Sequence, residues 1–166
     1  KPQAAAKEHI HYRTKDCLRY NAQGPVQDWA VIRVHPTKHT GLYPGDVQGF
    51  YNVDLVANLR RGTTVSITGF GSDKSDPIRN FAQQTHSGKV KKLGSLFNKS
   101  KLTYTVDTMG GNSGSSILNE ATGEIVAIHT HGGCYSRGGS NSSTLIADHQ
   151  IFKDAISACL STEPQD

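Results

Sequence analysis

A serine set among glycines, just after an apolar stretch, is the feature that most constrains this chain. Residues 107–115 read Asp-Thr-Met-Gly-Gly-Asn-Ser-Gly-Ser, with Ser113 among the glycines. Glycine allows sharp turns, so that consecutive amide N–H groups can point into one small concavity where an oxyanion could sit. Because glycine, serine and asparagine also dominate ordinary turns, the pattern predicts either a presented nucleophile or a plain loop.

The residues that follow Ser113 predict a β-hairpin. Ser116–Asn119 is predicted as a short strand and residues 120–123 as a turn. Glu124–His131 is predicted as the second strand, which ends in Gly132, Gly133 and Cys134.

This order resembles the C-terminal barrel of the chymotrypsin-like serine endopeptidases, particularly the bacterial glutamyl endopeptidases. In that family Gly-Gly-Asn-Ser-Gly-Ser is followed by a hairpin, an Ile-His segment and a glycine pair. The likeness covers roughly residues 26–160, with further strands expected at residues 63–71 and 143–148. A closing helix is predicted over residues 151–160, where apolar residues recur near helical spacing.

The resemblance implies an all-β, chymotrypsin-like double β-barrel. This chain would supply the C-terminal barrel, the end of the N-terminal barrel and a C-terminal helix. We expect residues 1–45 to hold the remainder of the N-terminal barrel and the interbarrel connection. Residues 46–166 would form the C-terminal barrel with its closing helix.

The same resemblance assigns catalytic roles. Ser113 is the expected nucleophile, and the amides of Gly111 and Ser113 are the expected oxyanion hole. Residues 28–34 look like the segment in which the family carries its triad aspartate, so Asp28 would orient an imidazole and stabilise its protonated form. Without Ser113 downstream, Asp28 would be taken for a turn residue before a strand.

The family's catalytic histidine precedes its aspartate, and only His9 and His11 stand before Asp28. Their segment alternates like an edge strand instead of forming the small-residue loop that the family uses. We therefore expect this chain to be the C-terminal piece of a two-chain enzyme whose histidine lies on an N-terminal chain of the same precursor, made by proteolytic nicking. An unphysiological fragment would look the same.

Three cysteines cannot all pair within one chain. Cys134 and Cys159 stand where relatives with a C-terminal disulfide place theirs, so the resemblance pairs them. Cys17 is then expected to bond to the N-terminal chain or to remain a free thiol.

The resemblance also suggests a preference for glutamate before the scissile bond. His129 and Thr108 match the residues with which glutamyl endopeptidases meet the acidic side chain, and an imidazole can donate a hydrogen bond to a carboxylate. Asp107 stands where trypsin-like enzymes bind lysine or arginine, so basic specificity is the alternative. Thr130, His131 and Gly132 would form the strand that pairs with the substrate backbone.

Other classes of function receive less support. The formal net charge of +4 raises a nucleic-acid alternative, but the lysines of residues 89–92 and 99–101 are short clusters without aromatics, predicted as loops between strands. Residues 138–143 are predicted as a mobile loop near the substrate cleft. No apolar run is long enough to span a bilayer, and the glycine-rich, weakly charged composition suits a secreted β-rich protein.

A metal site would need a third ligand beside His129 and His131, which share one face of a predicted strand. None is evident nearby, so neither a metal nor a cofactor is expected. A non-catalytic, peptide-binding pseudo-protease on the same fold is the alternative to an enzyme acting on proteins or peptides. The absent histidine favours the pseudo-protease, whereas the presence of Asp28 and Ser113 favours the enzyme.

Overall fold

Six antiparallel strands close into a barrel in the computed structural model, which describes residues 18–22, 26–94, 99–135 and 138–161. The barrel strands are β3 (Thr64–Gly69), β4 (Gln84–Leu93), β5 (Lys101–Tyr104), β6 (Ser116–Asn119), β7 (Glu124–His131) and β10 (Asn141–Leu145). Around the barrel their order is β10-β5-β4-β3-β6-β7. Outside it lie β1 (Leu18–Ala22), β2 (Asp28–Ile32), α1 (Pro44–Gln48), β8 (Cys134–Tyr135), β9 (Gly138–Gly139) and α2 (Gln150–Ser161).

The barrel encloses a core that follows the alternation of its strands. In β3 the buried residues are Val65, Ile67 and Gly69, and in β5 they are Leu102 and Tyr104, because successive side chains point to opposite faces. The core cluster consists of Leu59, Val65, Ile67, Val90, Leu102, Tyr104, Val106, Ile117, Val126, Ala127 and Leu145. This packing confirms the predicted all-β barrel and holds the hairpin after Ser113 in place.

A second cluster joins the N-terminal sheet to the C-terminal helix. Strands β1 and β2 form a separate two-stranded antiparallel sheet, with Leu18 opposite Ile32 and Ala22 opposite Asp28. Trp29 of β2 stacks on Phe152 of α2, with ring centroids 4.6 Å apart. The predicted closing helix is therefore confirmed, and it anchors the strand that begins at Asp28.

Two predicted loops are strands instead. Lys89, Lys91 and Lys92 lie within β4 and are exposed, the last two side by side because the pairing with β5 shifts register between Val90 and Lys92. The segment predicted as a mobile loop at residues 138–143 forms β9 and most of β10, and Asn141–Leu145 is buried throughout. The loop prediction is therefore wrong for residues 89–92 and for most of residues 138–143, because β4 and β10 find strand partners in the barrel and β9 pairs with β8. Lys99 lies in a turn, as predicted.

One end of the predicted disulfide lies in α2. Cys159 of α2 takes part in a disulfide. Cys17 and the side chain of Cys134 lie outside the described residues, so the pairing of Cys134 with Cys159 stays a prediction. Within the described ranges, no helix is both long and apolar enough to cross a membrane.

Candidate active site

The loop that carries Ser113 connects β5 to β6 and turns on two glycines with positive φ. Gly111 has φ +97° and Gly114 has φ +89°, values that residues with a Cβ rarely adopt. Between them, Asn112 is buried while Ser113 is exposed. The local sequence thus turns the backbone so that Ser113 stands at the surface.

Asn112 fits a space that only glycine leaves open on the neighbouring segment. A Cβ added to Gly69 would lie 2.2 Å from Asn112 Oδ1, and one added to Gly71 would lie 2.8 Å from Asn112 Nδ2. The glycines at positions 69 and 71 therefore admit the asparagine that precedes Ser113. The sequence did not predict this role for Asn112, although Asn112 lies within residues 107–115.

The peptide group between Gly110 and Gly111 has its carbonyl oxygen engaged and its N–H without a backbone partner among the described residues. The Gly110 carbonyl accepts a hydrogen bond from the Ser72 amide at 2.7 Å. Because C=O and N–H point in opposite directions across a trans peptide, the Gly111 N–H is directed away from Ser72. No backbone hydrogen bond among the described residues uses the N–H of Gly111 or Ser113, so both donors are available to a ligand.

One cavity of about 480 Å³ brings together Asp28 and Ser113, the two residues that the sequence assigned to catalysis. Asp28 begins β2, and its carbonyl accepts a hydrogen bond from Thr144 Oγ1 at 3.2 Å. Ser113 Oγ donates a long hydrogen bond of 3.4 Å to the Thr130 carbonyl. His129 and Thr130 line the same cavity, at the end of β7.

His129 is buried in the barrel wall with a specific partner. Its Nδ1 shares a hydrogen bond with the hydroxyl of Tyr104, which is fully buried on β5. Burial lowers the pKa of His129 below its usual range, and the nearby His131 lowers it further. His129 is accordingly a neutral imidazole at pH 7, with its other nitrogen left for a ligand.

Asp107 lines a different cavity from the one that contains Ser113. The lining of that smaller cavity, of about 230 Å³, includes Asp107 and its neighbour Thr108, whereas Ser113 and His129 do not contribute to it. The Asp107 amide donates to His86 Nδ1 at 2.7 Å, which fixes the backbone of this segment. The structure therefore separates Asp107 from the cavity shared by Ser113 and His129.

Thr108 is held by a buried asparagine that the sequence did not mark as a site residue. Asn141 is 1% exposed, and its Nδ2 donates to Thr108 Oγ1 and to the Val106 carbonyl, each at 2.7 Å. Its Oδ1 accepts from the Gly133 amide, also at 2.7 Å. Asn141 thus ties the segment before Ser113 to the end of β7, and since Thr108 Oγ1 accepts there, its proton can be directed to a ligand.

The end of β7 extends beyond its pairing with β6. The two strands pair from Asn119 opposite Glu124 to Ser116 opposite Ile128, and β7 continues to His131, which lies opposite Ser142 of β10. His131 and Gly132 are exposed. Within the described ranges, no three side chains among His, Cys, Asp and Glu lie where they could hold a metal ion together.

Comparison with known proteins identifies a family. Residues 3–128 match the model of the trypsin-like peptidase domain. A glutamyl endopeptidase of Staphylococcus epidermidis is 31% identical over 121 residues, which cover 73% of this chain and 38% of that protein. A glutamyl endopeptidase of Bacillus licheniformis is 30% identical over 105 residues, which cover 57% of this chain and 31% of that protein.

A solved structure agrees with these sequence relatives. The structure of a Glu endopeptidase in complex with MPD superposes with a TM-score of 0.65 at 25% identity, covering 87% of this chain and 64% of that one. The chain therefore spans well under half the length of the two glutamyl endopeptidases it matches in sequence.

Proposed function

Because the chain belongs to the trypsin-like peptidase domain family, we propose that it forms part of a secreted serine endopeptidase that acts on proteins or peptides. Ser113 is the nucleophile and Asp28 the orienting carboxylate. The observation that carries the proposal is the cavity that these two residues line together, because a histidine between them would complete a triad.

The reaction is acyl transfer in two steps. The histidine takes the proton of Ser113 Oγ as the oxygen bonds to the peptide carbonyl carbon, and Asp28 stabilises the imidazolium. The amides of Gly111 and Ser113 hold the resulting oxyanion, and the imidazolium gives its proton to the leaving amine as the C–N bond breaks. Water then attacks the acyl-enzyme in the same way and releases the acid.

The histidine is supplied by an N-terminal chain of the same precursor. His129 is the only described histidine that lines the cavity, and its Nδ1 is engaged by Tyr104. The predicted candidates His9 and His11 lie outside the described residues. A covering polypeptide is supported by the apolar side chains that the β1–β2 sheet exposes, Tyr20 at 70% and Ile32 at 50%.

The preferred residue before the scissile bond is glutamate. A glutamate side chain would meet His129 in the cavity beside Ser113, whereas Thr108, the other pocket residue that the resemblance implies, lines the smaller cavity. Asp107 lines the other cavity, so it would not oppose an acidic side chain there. The glutamyl endopeptidases among the sequence relatives support the same choice.

Covalent labelling tests the nucleophile. With the upstream part of the precursor co-expressed, a fluorophosphonate probe should label this chain, and Ser113→Ala should abolish labelling without loss of fold. Ser75→Ala, which changes an exposed serine of another loop, is the matched control. Labelling that survives in the Ser113 variant would disprove the assignment.

Two alternatives follow from specific observations. The absence of a described histidine joining Asp28 to Ser113 favours a peptide-binding pseudo-protease, which would stay unlabelled even beside the upstream chain. The position of Asp107 before Ser113 favours cleavage after lysine or arginine. A peptide panel that varies the residue before the scissile bond decides specificity, and faster cleavage after arginine would overturn the glutamate preference.

A further inference from the structure

Tyr104 places its hydroxyl between two groups with different hydrogen-bonding abilities. The hydroxyl shares a hydrogen bond with His129 Nδ1 and lies 3.5 Å from the Ser142 carbonyl oxygen. The carbonyl can only accept, whereas the imidazole nitrogen accepts when bare and donates when protonated. A phenol has one proton to give, so the state of His129 decides which neighbour receives it.

A neutral ring with its proton on Nδ1 would donate to the phenol and send the Tyr104 hydroxyl to the Ser142 carbonyl, a weak bond at 3.5 Å, so for the neutral ring the short contact with Nδ1 favours the tautomer protonated on Nε2. Two arrangements are then favoured. When His129 is neutral and carries its proton on Nε2, the Tyr104 hydroxyl donates to Nδ1. When His129 is doubly protonated, Nδ1–H donates to the phenol oxygen and the hydroxyl turns to the Ser142 carbonyl. Both arrangements present an Nε2–H, and neither leaves Nδ1 without a partner.

We propose that Tyr104 is a positioning residue for substrate recognition, which keeps the His129 Nε2–H available to an acidic side chain in both the neutral and the protonated state. Because Nδ1 is occupied, Nε2 is the nitrogen left for the cavity shared with Ser113. The inference rests on the proposed preference for glutamate and deepens it.

The environment of His129 couples binding of an acidic side chain to uptake of a proton. The burial that lowers the pKa of His129 keeps it neutral near pH 7 before a ligand arrives, and a carboxylate placed at Nε2 favours uptake of a solvent proton. The titratable groups around His129 are Tyr104 on β5, His131 on its own strand and Asp28 across the cavity. The flanking strands β6 and β10 carry none.

The state of the ring can be measured in this chain alone, independently of activity. In ¹⁵N-histidine NMR at pH 8, we expect the His129 signals of the Nε2–H tautomer. Tyr104→Phe should weaken that tautomer preference and lower the pKa of His129 further, since the protonated ring loses the acceptor for Nδ1–H. Tyr51→Phe, at an exposed tyrosine, should leave the signals unchanged.

Peptide binding supplies the functional readout. An acetylated pentapeptide ending in Glu and its counterpart ending in Gln are titrated into the wild type and both variants. Tyr104→Phe should weaken binding of the Glu peptide by about tenfold and leave the Gln peptide nearly unchanged. In the wild type, binding of the Glu peptide should take up protons, seen as a dependence of the heat on buffer ionisation.

The outcomes separate the two proposals. A wild-type His129 in the Nδ1–H tautomer at pH 8, or signals unaltered by Tyr104→Phe, would overturn the role of Tyr104. If the expected ring states appear but Glu and Gln peptides bind equally, the glutamate preference fails, and with it the recognition role of Tyr104. Should Tyr104→Phe not fold, the wild-type tautomer and proton uptake still decide.

Discussion

At the scale of single residues, the exposed position of Ser113 depends on neighbouring glycines as well as on Ser113 itself. Gly111 supplies a positive φ and an unused amide, while Gly69 leaves room for Asn112. The serine, the aspartate and the turn could be predicted because their requirements are local. The contacts of Asn112 could not, since they depend on β3, which lies far away in sequence.

A methyl group at position 69 should disturb the loop that carries Ser113. The Cβ of Gly69→Ala would lie 2.2 Å from Asn112 Oδ1 and 2.7 Å from Ser115 Oγ, so Asn112 must move. Overpacking of this kind costs about 2 kcal/mol. We expect lower stability in urea unfolding and at least tenfold slower fluorophosphonate labelling in the presence of the upstream chain.

Gly45→Ala is the matched control, because its Cβ would meet only the Phe50 ring, at 3.4 Å. Labelling of Gly69→Ala at the wild-type rate would contradict the role given to Asn112.

At the scale of elements, α2 depends on a histidine at its start. His149 Nδ1 accepts from the Phe152 amide at 3.2 Å, which satisfies a free donor of the first turn, and its ring lies edge-on to Trp29. An accepting nitrogen cannot carry a proton. Burial lowers the pKa of His149, so the structure favours the neutral ring.

This environment predicts a loss of stability in mild acid. A histidine with a lowered pKa binds its proton more readily in the unfolded chain, so its stabilisation is complete above about pH 6.5 and declines as the pH falls below that value. His149→Asn keeps a capping acceptor that does not titrate. We expect its free energy of unfolding to fall less than that of the wild type between pH 7 and pH 5, measured by urea denaturation.

The exposed His39→Asn should retain the full pH dependence and serves as the control. His129 has a lowered pKa as well, so some dependence of the same sign should remain in every variant. An unchanged slope in His149→Asn would refute the assignment to α2.

At the scale of the whole molecule, the disulfide partner of Cys159 decides which part of the chain is joined to α2. Cys159 lines a groove with Val31, Ile32 and Arg33 of the segment around β2. Leu18 of β1 lies opposite Ile32, and Cys17 directly precedes Leu18. Cys134 instead belongs to the short β8–β9 pair that follows β7. The pairing of Cys134 with Cys159 that the resemblance implies, and a bond between Cys17 and Cys159, are the two alternatives to test.

Peptide mapping without reductant decides between them, and recovery of a Cys17–Cys159 peptide would contradict the pairing that the resemblance implies. That result would place the disulfide within the chain and leave Cys134 as the odd cysteine. Recovery of a Cys134–Cys159 peptide would support the pairing that the resemblance implies and return Cys17 to an interchain role. Intact mass before and after reduction shows at the same time whether a second chain is attached.

The sequence by itself determined the hairpin after Ser113 and the closing helix, because turn residues and periodicity are local properties of the chain, and its resemblance to the chymotrypsin-like endopeptidases implied the barrel class and the family. Only the tertiary structure decided that the segment at residues 138–143 is largely a buried strand and that Asp107 lines another cavity. It also decided that Tyr104 meets His129. Each of these features depends on segments that are distant in sequence and adjacent in the folded chain, so it could not be predicted from neighbouring residues.

Ser113 and Asp28 show both what the sequence determined and what the tertiary structure decided. Their residue types and settings were readable in the sequence, whereas their common cavity arises because α2 packs Trp29 against the barrel and carries Asp28 with it. The burial of Trp29, which is a long-range contact and not a local preference of the chain, therefore brings Asp28 to the cavity of Ser113.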